Sequence, residues 1–213
     1  MIQIIPAILA TTQDQYQKDI SKLSACEALN DGWVHIDFAD NKFVASETIK
    51  PEVVKEYPDN FKKEAHLMVL NPKDWIDGLV EANFKRAIIH VESEGVEEAI
   101  DYAKDQGLEV GLAIKDETEI EKIEPYLDKI STILIMSVIP GFQGQPFLPN
   151  ALKKLEEIKS EGWQVQVGLD GAVRDINLKE IVLAGADFVI CGSYLLNGNI
   201  DENLENLWEA YES

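Results

Sequence analysis

Short apolar runs with the two-residue period of a β-strand alternate with helix-like stretches eight times along the chain. No low-complexity linker interrupts this alternation. Strands that alternate with helices pair in parallel through crossover connections, so eight such units predict a closed (β/α)₈ TIM barrel of the α/β class. An open doubly wound sheet is the alternative. The strands are predicted near residues 2–9, 32–38, 63–69, 86–92, 108–114, 131–138, 163–169 and 187–192.

Three of the intervening stretches carry apolar residues at helical spacing. The first is predicted to begin at Thr11 and Thr12, with Asp14 placed to complete a capping box from Thr11. The apolar stripes are Tyr16, Ile20 and Leu23 in the first stretch, Ile120, Ile123 and Leu127 in the fifth, and Leu204, Leu207, Trp208 and Tyr211 in the last. Because α/β barrels of about 200 to 250 residues are commonly one domain, we expect a single domain over residues 1–213.

The charge of the chain limits its partners. A formal charge of −20 and a pI near 4.4 argue against nucleic acid or an anionic membrane surface as a partner. An anionic substrate would have to be held by backbone N–H groups and helix ends. Neither a disulfide framework nor a zinc finger is indicated by Cys26 and Cys191. The N-terminus lacks the pattern of a secretory signal, and no apolar run reaches membrane-spanning length, so a cytoplasmic location is predicted.

Polar residues stand at the ends of several predicted strands. His35 and Asp37 share one face of the second strand, because side chains alternate along a strand. His66 ends the third strand and Asp170 the seventh. A barrel gathers the carboxyl ends of its strands around one axis, so these four are expected to meet. Two imidazoles and two carboxylates are compatible with Zn²⁺, Mn²⁺, Fe²⁺ or Co²⁺. His90 ends the fourth strand and could face the same mouth, but no partner for it is evident.

Two glycine-containing loops follow later strands. The segment 141–144 follows the sixth strand, and Gly192 and Ser193 follow the eighth. Glycine lets a backbone approach an anion closely, and the loops after the last strands are the usual phosphate site of this architecture. Turns also need glycine for ordinary reasons, so either loop alone is weak support for phosphate binding.

Six motifs occur in order along the chain. They are residues 6–9 (PAIL), 34–40 (VHIDFAD), 65–69 (AHLMV), 135–145 (IMSVIPGFQGQ), 169–171 (LDG) and 191–193 (CGS). In this order they resemble the motifs of the ribulose-phosphate 3-epimerase family. The resemblance runs through nearly the whole chain, and it implies a (β/α)₈ barrel of the ribulose-phosphate-binding type that interconverts D-ribulose 5-phosphate and D-xylulose 5-phosphate.

The resemblance also implies roles for individual residues. One divalent ion would be bound by His35, Asp37, His66 and Asp170. Zn²⁺ is the first choice for this ion, and Fe²⁺, Mn²⁺ and Co²⁺ are the alternatives. Asp37 and Asp170 would be the acid/base pair, because inversion at C3 beside a ketone removes a proton on one face and returns one on the other. The implied phosphate and substrate contacts are Gly141, Phe142, Gln143, Gly144, Gly171, Gly192 and Ser193, and the implied pocket-lining residues are Ala7, Met68 and Met136.

The chain departs from the family pattern at five positions. Ala7 stands where serine is usual, Ala39 replaces a methionine and Ile139 replaces an asparagine. Gln143 and Ala172 each replace a glycine, and an added Cβ can block the close approach of the backbone to a phosphate. Since all four metal and acid/base positions are kept, an altered substrate preference is the better explanation than lost activity.

Alternative functions remain open from the sequence. A ketohexose 6-phosphate such as allulose 6-phosphate could replace the pentose if the substitutions at Ala7, Ala39 and Ile139 reshape the pocket. Related barrels that decarboxylate need a lysine at the position of Ala39, which argues against that chemistry. A non-catalytic barrel that binds a metal or a sugar phosphate is the alternative of another class, and assembly into a homo-oligomer is a further expectation.

Overall fold

The predicted barrel is confirmed by a computed structural model, which describes residues 2–212 of the chain. Eight parallel strands each pair with the next, and β8 closes the barrel on β1 by pairing Gln3 with Phe188 and Pro6 with Cys191. All eight predicted strands are present, and their ends lie within three residues of the predicted ends. The strands are β1 (Gln3–Ile8), β2 (Trp33–Ala39), β3 (Lys62–Met68), β4 (Phe84–His90), β5 (Glu109–Ile114), β6 (Thr132–Met136), β7 (Gln166–Asp170) and β8 (Phe188–Cys191).

Helices cover the outside of the barrel. Among the described residues, every helix is too short or too polar to cross a lipid bilayer. The helices are α1 (Gln13–Ser24), α2 (Pro51–Lys55), α3 (Ile76–Glu81), α4 (Val96–Asp105), α5 (Asn150–Ser160), α6 (Asp175–Leu183), α7 (Ser193–Leu196) and α8 (Ile200–Glu212).

Two helix predictions need correction. The N-cap of α1 is Thr12 and not Thr11, because the Thr12 side chain accepts the hydrogen bond from the Gln15 N–H at 3.2 Å. The predicted fifth helix is a pair of 3₁₀ turns, Ile120–Lys122 and Glu124–Tyr126. The second turn contains Pro125, which has no N–H to donate within a continuous α-helix.

A small apolar cluster fills part of the inside of the barrel. Phe188 enters this interior opposite Gly168, where a Cβ would lie only 2.4 Å from the Phe188 ring. This packing helps to close the barrel, and the polar side chains His35, Asp37, His66 and Asp170 lie toward the carboxyl ends of the strands. The interior cluster consists of Ile5, Ala7, Ile88, Ala113, Leu134, Phe188 and Ile190.

Candidate active site

Four side chains from three strands converge at the carboxyl end of the barrel. His35 and Asp37 come from β2, His66 from β3 and Asp170 from the end of β7, and one ligand atom from each lies within 4.8 Å of all the others. Register explains part of this convergence, because Asp37 is paired directly with His66 across the two strands. We call these four residues the floor of the site.

The floor fits a divalent metal ion. His66 Nδ1 lies 2.8 Å from Asp37 Oδ1 and 3.4 Å from Asp170 Oδ2, and His35 Nε2 lies 3.4 and 3.7 Å from the same two oxygens. Ligand atoms about 2.1 Å from a tetrahedral ion are about 3.4 Å apart, which these separations bracket. His35 Nε2 is buried and receives no hydrogen bond from any described residue. A metal would satisfy this atom, and two nitrogen and two oxygen donors suit a transition-metal dication.

A buried ionic pair lies behind His35. Glu64 Oε1 is 2.7 Å from His35 Nδ1, and Glu64 Oε2 accepts from Arg86 Nη1 at 3.0 Å. Arg86 also pairs with Glu109 at 3.1 Å and stacks over Trp33, with its guanidinium carbon 4.3 Å from the ring centre. Because a carboxylate can only accept, it keeps a proton on His35 Nδ1 and turns Nε2 toward the floor.

A different partner lies behind His66. His90 Nε2 is 2.9 Å from His66 Nε2, and His90 Nδ1 is 3.0 Å from Glu92 Oε2. Burial lowers the pKa of His90 to about 4. His90 therefore reaches the site from β4. The sequence showed no partner for it, but the structure gives it two: Glu92, two residues further along, and His66 on the neighbouring strand.

The pKa values of the two aspartates are shifted in opposite directions. Burial acts to raise the pKa of Asp37, but contacts with the imidazoles of His35 and His66 outweigh it and lower that pKa well below the usual range. For Asp170, burial and then the charge of Asp37 raise the pKa to about 6. Burial acts to lower the pKa of His35, but the carboxylates of Asp37 and Glu64 raise it well above its ordinary value. The floor thus has one firmly ionised carboxylate and one that can hold a proton.

The backbone beside Asp170 is held by Ser137. The Ser137 N–H donates to the Asp170 carbonyl at 2.7 Å, and its hydroxyl lies 2.9 Å from that oxygen and 2.6 Å from the Gly171 carbonyl. Gly171 has φ of +116°, and a Cβ there would lie 2.4 Å from Val138. Only glycine fits at this position, which sets the turn directly after Asp170.

A pocket opens above the floor. Its edge is formed by three loops after β6, β7 and β8, residues 141–145, 171–174 and 192–194, which we call the rim. Asp37 and Asp170 line the bottom of the pocket, while His35 and His66 lie buried beneath it. The predicted substrate and pocket residues that line it are Ala7, Met68, Met136, Gly141, Phe142, Gln143, Gly144, Gly171, Gly192 and Ser193.

The five departures from the family pattern fall in different places. Ala7 and Gln143 line the pocket, whereas Ala39 lines a second cavity beside Thr48 and Trp75, and Ile139 is 66% exposed outside the pocket lining. Ala172 lines the rim with φ of +52°. This left-handed conformation costs an L residue about 1–2 kcal/mol, so the rim keeps the backbone shape of a glycine at the expense of strain.

Sequence reasoning missed one charged residue of the rim. Arg174 is exposed, directly precedes α6 and is the one basic side chain among the described residues that line the pocket. Its backbone N–H donates to Asn177 Oδ1 at 2.8 Å, and Asn177 Nδ2 donates to the Ala172 carbonyl at 3.0 Å. The signal was its position four residues after Asp170, on the loop where this architecture binds phosphate.

Known proteins resemble this chain over nearly its whole length. The model of the ribulose-phosphate 3 epimerase family matches residues 3–196. Ribulose-phosphate 3-epimerase of Schizosaccharomyces pombe is 31% identical over 208 residues, 95% of this chain and 90% of that one. The Escherichia coli strain K12 protein of the same name is 33% identical over 202 residues, 91% and 88% of the two chains. Among solved structures, 3-hexulose-6-phosphate synthase from Salmonella typhimurium has a TM-score of 0.72 at 13% identity over 99% of both chains, which indicates a shared fold alone. The chain belongs to the ribulose-phosphate 3-epimerase family.

Proposed function

We propose that this protein is a metal-dependent 3-epimerase that interconverts D-ribulose 5-phosphate and D-xylulose 5-phosphate. The observation that carries the proposal is that both aspartates of a compact four-ligand cluster line the bottom of the pocket. A non-catalytic metal site has no need to present two carboxylates to a ligand. The family relatives at 31–33% identity are named for this epimerisation.

The floor residues His35, Asp37, His66 and Asp170 would hold one divalent ion. We propose Zn²⁺, because two imidazoles and two carboxylates at tetrahedral separations suit it, with Fe²⁺, Mn²⁺ or Co²⁺ as alternatives. When bound, such an ion supplies Lewis-acid stabilisation of the negative charge that an enediolate carries on its oxygens.

The two aspartates would move the protons. In one direction, ionised Asp37 takes the C3 proton as the C3–H bond breaks, and protonated Asp170 gives a proton to the other face of C3 as the new C3–H bond forms. The reverse reaction exchanges the two roles. We assign the roles in this order because, in the metal-free protein, burial and the neighbouring charge of Asp37 raise the pKa of Asp170 to about 6 while Asp37 stays ionised, so Asp170 is the more readily protonated of the two.

The rim would bind the phosphate. Gly144, Gly171, Gly192 and Ser193 lie in the segments that line the pocket, and their backbone N–H groups would hold the phosphate. Arg174 supplies a positive charge that partly offsets the formal charge of −20. A cytoplasmic location and assembly into a homo-oligomer stay predictions.

The pentose phosphate is preferred to a ketohexose 6-phosphate. Of the three substitutions that could enlarge the site, Ala7 alone lines the pocket, since Ala39 faces the second cavity and Ile139 lies outside. The smaller residue at position 7 removes a hydroxyl but adds little length to the pocket.

The test is exchange of the C3 proton with solvent. Metal-free protein is loaded with Zn²⁺, and D-ribulose 5-phosphate is followed in D₂O by NMR for C3 deuteration and for D-xylulose 5-phosphate. We expect both signals with Zn²⁺ and neither in the presence of a chelator. If the protein turned over allulose 6-phosphate and not D-ribulose 5-phosphate, it would be a ketohexose 6-phosphate epimerase. If neither sugar exchanged its C3 proton despite bound Zn²⁺, the protein would be a non-catalytic binding protein.

A further inference from the structure

His90 is the one histidine of the chain outside the floor, and the proposed chemistry does not use it. It is fully buried, and both of its ring nitrogens have a partner: Nε2 lies 2.9 Å from His66 Nε2 and Nδ1 lies 3.0 Å from Glu92 Oε2. His90 thus belongs to a buried hydrogen-bond chain that leads from Glu92 to His66, and this arrangement indicates a role beyond packing.

The positions of the protons along this line follow from the partners. The Glu92 carboxylate has only acceptor atoms, so the proton between it and His90 lies on His90 Nδ1. A neutral imidazole with Nδ1–H has a lone pair on Nε2, so the proton between the two rings must come from His66 Nε2. With its proton on Nε2, neutral His66 has its lone pair on Nδ1, which faces the floor 2.8 Å from Asp37 Oδ1.

We propose that Glu92 and His90 are positioning residues that keep a proton on His66 Nε2 and so reserve His66 Nδ1 for the metal ion. The inference rests on the proposed metal site. It assigns the two histidine ligands different supports, since His35 presents Nε2 because Glu64 contacts its Nδ1, while His66 presents Nδ1 because His90 contacts its Nε2.

Glu92 is itself fixed, as this role requires. Its second oxygen, Oε1, accepts from the Lys115 backbone N–H at 2.8 Å. Burial acts to raise the pKa of Glu92, but the hydrogen bonds with His90 and Lys115 lower it to about 2, so the carboxylate is an acceptor at neutral pH.

The His90 ring is also held by the side chain of Phe43. The centroids of these two rings lie 4.8 Å apart, whereas His66 meets the edge of His90 through the two Nε2 atoms. With the ring clamped in this way, the direction of its Nε2 lone pair toward His66 is set before a metal arrives.

The experiment compares three variants in metal-free protein titrated with Zn²⁺ against a competing chelator. His90→Phe keeps a flat ring but removes the acceptor, and we expect it to lose about 10- to 100-fold in Zn²⁺ affinity. His90→Gln restores a side-chain oxygen acceptor and should recover most of that loss. Glu94→Gln removes an exposed charge from the same loop and should bind as the unmodified protein does.

A second readout is the protonation of each ring nitrogen, which a space-filling role would not determine. In Zn²⁺-loaded protein labelled with ¹⁵N-histidine, we expect His90 protonated on Nδ1 and free of a proton on Nε2. With three histidines in the chain, the signals can be assigned one by one.

The proposal is overturned if His90 carries its proton on Nε2, or if His90→Phe binds Zn²⁺ as tightly as the unmodified protein. The nitrogen signals of the unmodified protein decide the matter even if His90→Phe does not fold. Neither readout uses a sugar, so absent epimerisation would end the proposed function without touching this inference, while absent Zn²⁺ binding would overturn both.

Discussion

The floor and the rim of the pocket are built in opposite ways. The floor residues project from the ends of regular strands and lie almost entirely out of solvent, and each histidine has a partner from a neighbouring strand. The rim consists of three loops, and Phe142, Gln143 and Arg174 on them are exposed. The rim offers a ligand backbone amides, uncharged polar side chains such as those of Gln143 and Ser193, and one arginine, whereas the floor offers four ionisable side chains.

This difference explains where the chain departs from its family pattern. A floor side chain cannot change without leaving a buried partner unsatisfied, so a substitution there affects the chemistry itself. A rim residue can change while the backbone keeps its course, as Gln143 and Ala172 do. We therefore expect floor variants to alter turnover and metal binding, and rim variants to alter substrate affinity.

The largest effect should come from the floor aspartates. Asp37→Asn and Asp170→Asn each keep the shape of the side chain but remove a group that can exchange a proton with carbon, so we expect kcat to fall by about 10³-fold or more. C3 exchange in D₂O measures the loss, and Asp105→Asn on the surface of α4 is the control. If either floor variant kept a tenth of the rate, the two-carboxylate chemistry would be wrong.

The floor could be predicted from sequence because few rules decide it. The alternation of side chains puts His35 and Asp37 on one face, and a closed parallel barrel brings the carboxyl ends of β2, β3 and β7 together. The apolar runs that predict the strands also place His66 near the carboxyl end of β3 and Asp170 at that of β7. No contact beyond the strand register was needed.

The next effect concerns stability and the support behind His35. Glu64→Gln removes the charge that pairs with buried Arg86, and we expect the free energy of unfolding of the metal-free protein to fall by about 3 kcal/mol, measured in urea. The control is Glu81→Gln, which removes an ion pair with Lys55 in which both side chains are more than half exposed. This variant should change the free energy of unfolding far less. Equal stability losses would mean that the buried pair contributes no more than a surface one.

The supports behind the floor were beyond sequence reasoning. Glu64 meets Arg86 across β3 and β4 just after a register shift between Lys63 and Glu64, and such an irregularity leaves no local sequence signal. The line from His66 through His90 to Glu92 likewise depends on the pairing of two strands and on the turn after β4. At the rim, the role of Arg174 depends on the loop path after Gly171, which turn propensities do not fix.

A smaller effect should be the pH dependence of Zn²⁺ binding, which is a property of the floor and not of the rim. A metal ion and protons compete for the same lone pairs, so Zn²⁺ affinity should rise with pH. The raised pKa of His35 means that the metal-free protein holds a proton on this residue, which the ion must displace. We therefore expect about a tenfold rise in affinity per pH unit between pH 6 and 8. Below about pH 6, the carboxyl of Asp170 also holds a proton, so the slope should steepen. Chelator competition at constant ionic strength measures this, and a flat profile would contradict the protonation states described for the floor.

The smallest effect should come from the rim. Arg174→Ala removes the one positive charge among the described pocket-lining residues, and we expect KM for the sugar phosphate to rise about tenfold while kcat changes little, because the charge meets the phosphate and not C3. Arg174→Lys should recover part of the loss, and Lys179→Ala on the exposed face of α6 is the matched control. The difference should shrink at high salt, since exposed charges are screened. A fall in kcat with an unchanged KM would join Arg174 to the floor and break the division between the two regions.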